Sequence, residues 1–221
     1  GGAAVIVEQL ASNINKYFET FVITTSTESK KIVSSKTKWG VLIKIPRGSN
    51  QKWRFLKTLV LNNEAKELIK VFKKIDPDIV HFHNIHEHFS YVLLKKIRQL
   101  KPKVKIFLTC HDGMAISYGK LSKIDKKAGM DKPSKITFIE NIKSAEFSWV
   151  PFRSSFIKKY LAYANKIIVV SSALEKQLKC NEIKNTIVIH NGVSNIASEI
   201  QLPLDVKKIL DTKDQWIAFS G

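Results

Sequence analysis

The stretch Phe107-Leu108-Thr109-Cys110-His111-Asp112-Gly113 decides the fold. An apolar run that halts on His, Asp and Gly reads as a buried parallel strand delivering its last residues to a cleft. Four other runs stop in the same manner: Asp78-Ile79-Val80-His81-Phe82-His83-Asn84, Lys166-Ile167-Ile168-Val169-Val170-Ser171-Ser172, Thr186-Ile187-Val188-Ile189-His190-Asn191-Gly192 and Trp216-Ile217-Ala218-Phe219-Ser220-Gly221. In open α/β sheets ligands bind outside the carboxyl ends of the strands. The functional residues are therefore expected at these stops.

Outward from that stretch, the intervening segments read as helices. Residues 1–17 place Ala3, Ile6, Val7, Leu10, Ala11 and Ile14 on one helical face. Phe21–Thr25 reads as a strand, 26–38 as an exposed Ser/Thr/Lys-rich loop, and Val41–Ile45 as a second strand stopped by Pro46. A long helix is expected near 51–75, where Leu61, Ala65, Leu68, Phe72 and Ile75 step by four, three, four and three. Further helices are expected over 86–100, 152–164 and 173–179. Residues 113–150 are irregular, with only a weak helical pattern near 136–147, and loops this long are usually functional or mobile. Residues 194–215 read as a connector with a short helix. The alternation implies an α/β fold: a Rossmann-like, mainly parallel sheet flanked by helices.

Composition narrows the partners. The 221 residues are 44% apolar and 25% charged, within the ordinary globular range. No run approaches the ~20 apolar residues of a transmembrane helix, and no signal-peptide pattern opens the chain, so it reads as soluble and cytoplasmic. Cys110 and Cys180 show no Cys-x-x-Cys spacing. The net charge is +18, yet of 37 basic residues only Arg47, Arg54, Arg98 and Arg153 are arginine. Nucleic-acid readers lean on arginine for base edges and phosphate forks, so nucleic acid is disfavoured as a partner. Diffuse lysine charge better suits phosphorylated substrates or peripheral association with an anionic membrane.

Each candidate site has a structural alternative. Gly1-Gly2 open a helix whose free amides favour phosphate, or they are a frayed terminus. His81, His83, His86 and His88 fit no standard zinc spacing, so no metal site is expected. Instead His83-Asn84 is expected at the cleft, His81 as a hydrogen-bonded core group, and His86 and His88 at the start of a helix, diverging into solvent. His111 at a strand end can bond a substrate hydroxyl or shuttle a proton. Asp112 can orient substrate and Gly113 can turn the backbone into the long loop; otherwise the three form a structural turn with Asp112 as cap. Ser171-Ser172 before Glu175 reads as an N-cap, with which a substrate contact can coexist. Asn191-Gly192 is first a turn signal. The aromatic run Phe147, Trp149, Phe152, Phe156 and Tyr160 either faces the sheet, the favoured reading, or meets a membrane with Arg153, Lys158 and Lys159 alongside.

In order along the chain, Gly-Gly-Ala-Ala (1–4), Asp-Ile-Val-His-Phe-His-Asn-Ile-His (78–86), Leu-Thr-Cys-His-Asp (108–112), Ile-Ile-Val-Val-Ser-Ser (167–172) and Ile-His-Asn-Gly-Val (189–193) resemble the N-terminal half of a GT-B glycosyltransferase of the retaining "group 1" family, family 4. The resemblance implies two Rossmann-like domains facing across a cleft, the first holding the acceptor and the second the nucleotide-sugar donor. It implies that Gly1-Gly2 approach the donor diphosphate and that His111 contacts the transferred sugar. It also implies that the donor serves as co-substrate with no further cofactor or catalytic metal, and that the acceptor is a glycan or lipid-linked glycan of a bacterial surface polysaccharide.

Against that pattern, residues 1–193 are expected to form the acceptor-side domain, with 194–221 a connector and the first strand of a donor domain. The family's strand ahead of Gly-Gly and the bulk of its second domain, with paired glutamates and basic residues for the nucleotide, are not in this sequence. The expectation is no sugar transfer by this chain alone, with strand 216–220 filling the place of the missing strand. A non-catalytic glycan- or partner-binding module derived from the same fold is the alternative.

Overall fold

The computed structural model describes residues 2–48, 53–85, 88–119, 134–145 and 148–192. Four strands form one all-parallel sheet in the order β4-β5-β6-β7: β4 (Ile79–His83), β5 (Lys105–Cys110), β6 (Lys166–Val169) and β7 (Thr186–Val188). Register pairs Phe82 with Leu108, His83 with Thr109, Cys110 with Val169, and Val169 with Val188. Parallel neighbours need a crossover between them. Helix α4 (Val92–Leu100) supplies the first, α5 (Phe138–Ala145) and α6 (Arg153–Leu161) lie within the second, and α7 (Ser172–Cys180) supplies the third. All four strands therefore point their carboxyl ends the same way, which sets the β4 and β5 stops side by side.

A second sheet precedes it in sequence. Strands β1 (Phe21–Ser26), β2 (Val33–Thr37) and β3 (Gly40–Pro46) are ordered β1-β3-β2, with β1 parallel and β2 antiparallel to β3. The β2–β3 turn depends on Gly40, whose φ is +112° and whose missing Cβ would lie 2.2 Å from the Thr20 carbonyl oxygen. That carbonyl accepts the Val41 amide at 2.9 Å, tying the hairpin to the start of β1. Helix α1 (Gly2–Ile14) leads into this sheet. Among the described residues β1 pairs only with β3 and β4 only with β5, so each keeps one bare edge.

The larger of two core clusters among the described residues nevertheless runs through both sheets. Ile45 of β3 belongs with Ala65, Leu68 and Phe72, with Phe82, Ile106 and Leu108 of β4 and β5, and with Ile157, Ile167, Val169 and Leu178 beyond them. Fully burying side chains of this size contributes roughly 1.5–3 kcal/mol each. Near-continuous apolar strands follow from burial on both faces, which is why β5 and β6 show so little alternation. No helix among the described residues is long and apolar enough to cross a membrane.

Several local expectations are corrected. Residues 26–38 are not all loop, because Val33–Thr37 form β2. That strand sits at a sheet edge with its side chains mostly exposed, so it carries no apolar alternation to read. The helix expected over 51–75 is two pieces, α2 (Arg54–Lys57) and α3 (Asn63–Ile75). Asn62 divides them: its backbone is extended and its Oδ1 accepts the Ala65 amide at 2.8 Å, a capping bond that competes with continued helix. Leu61 thus precedes α3 rather than sharing its face.

The helix expected from residue 86 begins only at Val92. Ser90 Oγ accepts the Val92 amide and donates to the Thr58 carbonyl, fixing the entry, so His88 lies ahead of the helix instead of in its first turn. His86 lies outside the described residues, as do Gly1, Phe147 and the expected connector and strand of 194–221.

Candidate functional site

The carboxyl ends of β4 and β5 are locked together by one side chain. Asn84 follows β4 in the left-handed region, φ +43°, a conformation asparagine tolerates better than most residues. Its amide nitrogen donates to the Thr109 carbonyl at 3.2 Å, extending the ladder by one residue. That pose aims the side chain across the strand gap. Oδ1 accepts the His111 backbone amide at 3.0 Å, and Nδ2 donates to Asp112 Oδ2 at 3.2 Å. Because oxygen and nitrogen are both committed to groups of opposite polarity, the amide has one sensible orientation. Asp112 Oδ1 in turn accepts the Met114 amide at 3.0 Å and caps the 3-10 turn Gly113–Ala115.

Beside this clamp stand three imidazoles. Alternation along β4 and β5, with His83 opposite Thr109, puts His81, His83, Thr109 and His111 on one face. His81 Nε2 lies 2.7 Å from Thr109 Oγ1, and the His81 and His83 ring centres are 4.3 Å apart. His83 Nδ1 lies 3.1 Å from His111 Nε2, with ring centres 5.4 Å apart and planes inclined by 24°. The centres are farther apart than the nitrogens by about two ring radii. These rings therefore meet edge to edge through a hydrogen bond; they are not stacked face on face.

Burial sets the charge state. It holds His81 down to about 4, with the His111 ring adding repulsion, and His83 down to about 3, where both neighbouring imidazoles add to it. His111 is also lowered by burial, partly offset by the Asp112 carboxylate. The cluster is thus neutral near neutral pH. It can exchange hydrogen bonds with hydroxyls, but it cannot supply the positive charge that a diphosphate needs. Cys110 beneath it is pushed up to about 12 by burial, so its thiol stays protonated. Among the described residues no group of three or more His, Cys, Asp or Glu is placed to hold a metal ion.

The other expected site residues stand at the ends of other elements. Ser171 is the N-cap of α7, its Oγ accepting the Leu174 amide at 3.2 Å, while Ser172 opens the helix. Glu175 does not complete a capping box; it turns to Thr186 Oγ1 and Lys179. Asn191 and Gly192 follow β7 as exposed residues, and a Cβ at Gly192 would meet nothing within 4 Å. Gly2 is exposed at the start of α1 and equally unconfined. The structure brings His83, Asn84, His111, Asp112 and Gly113 together. No hydrogen bond among the described residues ties Gly2, Ser171, Ser172, Asn191 or Gly192 to them.

Sequence reading missed Arg153. The sequence sets it beside the aromatic run only in the membrane alternative, as an exposed charge, but it is 1% exposed. Its Nη1 donates to the Ser117 carbonyl and its Nη2 to the Met114 carbonyl, each at 2.8 Å, and the guanidinium lies against the Phe55 and Tyr118 rings. It therefore fixes the turn that leaves Gly113. The aromatic run itself divides. Phe156 and Tyr160 pack on the core, whereas Phe152 is 83% exposed. Thr109 was also missed as a site residue; its position two before His111 in an alternating strand was the available signal.

Comparison with solved structures finds one described as trehalose-6-phosphate from E. coli bound with UDP-2-fluoro glucose, 13% identical, with a TM-score of 0.39, over 96% of this chain and 51% of that one. The chain thus spans about half the length of that protein. No curated protein sequence matches it. The family model for Glycosyltransferase Family 4, in contrast, matches residues 1–195, which take in every element described above. The chain belongs to glycosyltransferase family 4.

Proposed function

We propose that this chain is the acceptor-side domain of a GT-B glycosyltransferase that moves a sugar from a nucleotide-sugar donor to a glycan or lipid-linked acceptor with retention at the reacting carbon. Residues 1–193 form that domain, and 194–221 lead toward the donor side. The observation that carries the reading is the Asn84 clamp, which fixes His111 and Asp112 at the carboxyl edge of a parallel sheet in a family 4 chain. His111 faces the transferred sugar, and Asp112 orients substrate through the turn it caps. Ser171-Ser172 and Asn191-Gly192 line the same edge, and Gly1-Gly2 admit the diphosphate.

The chemistry agrees with this division of labour. Cleaving a sugar–phosphate bond builds negative charge on the leaving diphosphate, which backbone amides and basic groups stabilise. The neutral histidine cluster is unsuited to that task and suited to holding sugar hydroxyls. The acceptor hydroxyl must be held close to the reacting carbon, a positioning effect of the kind rigid strand ends provide. Peripheral contact with an anionic membrane is part of the proposal. Helix α5 exposes Phe138 and Ile139 at 66% and 63%, beside Lys135 and Lys143, on a chain of net charge +18.

The test is a panel of nucleotide sugars added to the isotope-labelled chain. The reading expects backbone shifts at 83–84 and 111–113 for at least one donor. Shifts confined to other parts of the sheet, or none across the panel, count against it.

A further inference from the structure

The bond between His83 Nδ1 and His111 Nε2 constrains both rings at once. One nitrogen must donate and the other accept, and burial keeps both rings neutral. If His83 donated from Nδ1, His111 would have to carry its own proton on Nδ1, and both rings would adopt the tautomer that neutral histidine disfavours. If His111 donates from Nε2, both rings keep the favoured Nε2–H form. His81 is consistent with this choice, since its Nε2–H can donate to Thr109 Oγ1 at 2.7 Å.

We propose that His83 is a positioning residue that accepts the Nε2–H of His111 and so leaves His111 Nδ1 as an open lone pair toward the substrate. His83 then has the orienting part usually played by a carboxylate behind a working histidine. Asn84, the next residue, anchors the same histidine by its backbone, so two consecutive side chains at the end of β4 set both the place and the polarity of His111. His81 packs on the other side of His83 at 4.3 Å and limits the swing of its ring. Nδ1 of His111 makes no hydrogen bond among the described residues, and the residue is only partly buried. Resting on the reading of His111 as the sugar-facing group, this assigns the specificity at that point: the sugar must present a hydroxyl that donates, not merely an oxygen that accepts.

The experiment is long-range proton–nitrogen correlation on the chain with labelled histidine, near neutral pH and without ligand. The expected spectrum shows His83 and His111 both protonated at Nε2, with the His111 proton in slow exchange. H83F loses that slow proton. H83N keeps it, because an amide oxygen can stand where Nδ1 stood, so the pair remains informative if H83F fails to fold. A His111 protonated at Nδ1 in the native chain, or a slow proton unchanged in H83F, overturns the inference. A nucleotide sugar that binds and its fluoro-for-hydroxyl analogue form a second arm, in which only the hydroxyl form should shift His111 Nδ1. Failure of every sugar to bind strikes the proposed function and leaves the tautomer assignment standing.

Discussion

Asn84 and Asp112 are 28 residues apart in sequence, and the amide of one donates to the carboxylate of the other at 3.2 Å. The same amide accepts the His111 backbone N–H. Removing it with N84G keeps the backbone free to hold φ +43° and deletes only the clamp. A hydrogen bond to a charged group contributes about 1.5–3 kcal/mol, so urea melts should show a loss of that order. N84D should be worse than N84G, because it sets a second carboxylate against Asp112. Equal stabilities for the two variants would contradict the clamp.

Arg153 holds two carbonyls of the turn after Gly113 from inside the protein. R153M keeps much of the volume but orphans the Met114 and Ser117 oxygens, at a cost of about 2–4 kcal/mol. R153K should fall between, since an ammonium lacks the planar fork that reaches both. Amide exchange at 114–118 should accelerate in R153M before the rest of the fold does; uniform acceleration would argue against a local role.

How much of this was legible in the sequence follows from what each residue depends on. The strand ends at His83 and His111 were readable because burial on both faces leaves an unbroken apolar run that stops abruptly. Helix α7 was readable from Ser171, because capping is a local interaction. Strand β2 was not, since an exposed edge strand of Ser, Lys and Thr has no pattern to distinguish it from loop. The break at Asn62 was hidden for a similar reason: the residue looks polar and unremarked until its bonds to Ala65 and to the distant His88 carbonyl are seen. Arg153 was misplaced because a charged residue is presumed exposed, and only the fold shows the two carbonyls that draw it inward.

The buried histidines predict the pH response. Their native pKa values, about 4 for His81 and about 3 for His83, lie below the ordinary 6.5. The unfolded chain therefore binds more protons than the native one between those limits, and stability falls as pH drops from about 6.5 toward 3–4. The slope approaches about 1.4 kcal/mol per pH unit for each histidine. Glu182, held down to about 2 by Lys135 and Lys158, adds its own loss only below the carboxylate value of 4.5. Melts at pH values above that limit isolate the histidines. The double variant H81F/H83F should flatten the dependence there, and an unchanged slope would refute the assignment.

Gly40 and Gly192 set a folding position against a proposed binding position. G40A forces a side chain into φ +112° and against the Thr20 carbonyl, so a loss of roughly 2 kcal/mol or more is expected on thermal melting. G192A meets open space and should leave the melting temperature unchanged. If substrate approaches the backbone there, G192A weakens nucleotide-sugar binding without touching stability; a destabilised G192A would show that the residue serves the fold instead.

The central claim, that the β4 and β5 stops form the sugar-facing wall, is tested most directly by calorimetric titration of a nucleotide sugar into the native chain and into H111A. The account predicts at least a tenfold weaker affinity for H111A, equivalent to about 1.4 kcal/mol, measured well below a melting temperature that falls because His83 Nδ1 loses its partner. Equal affinity in the two proteins would contradict it.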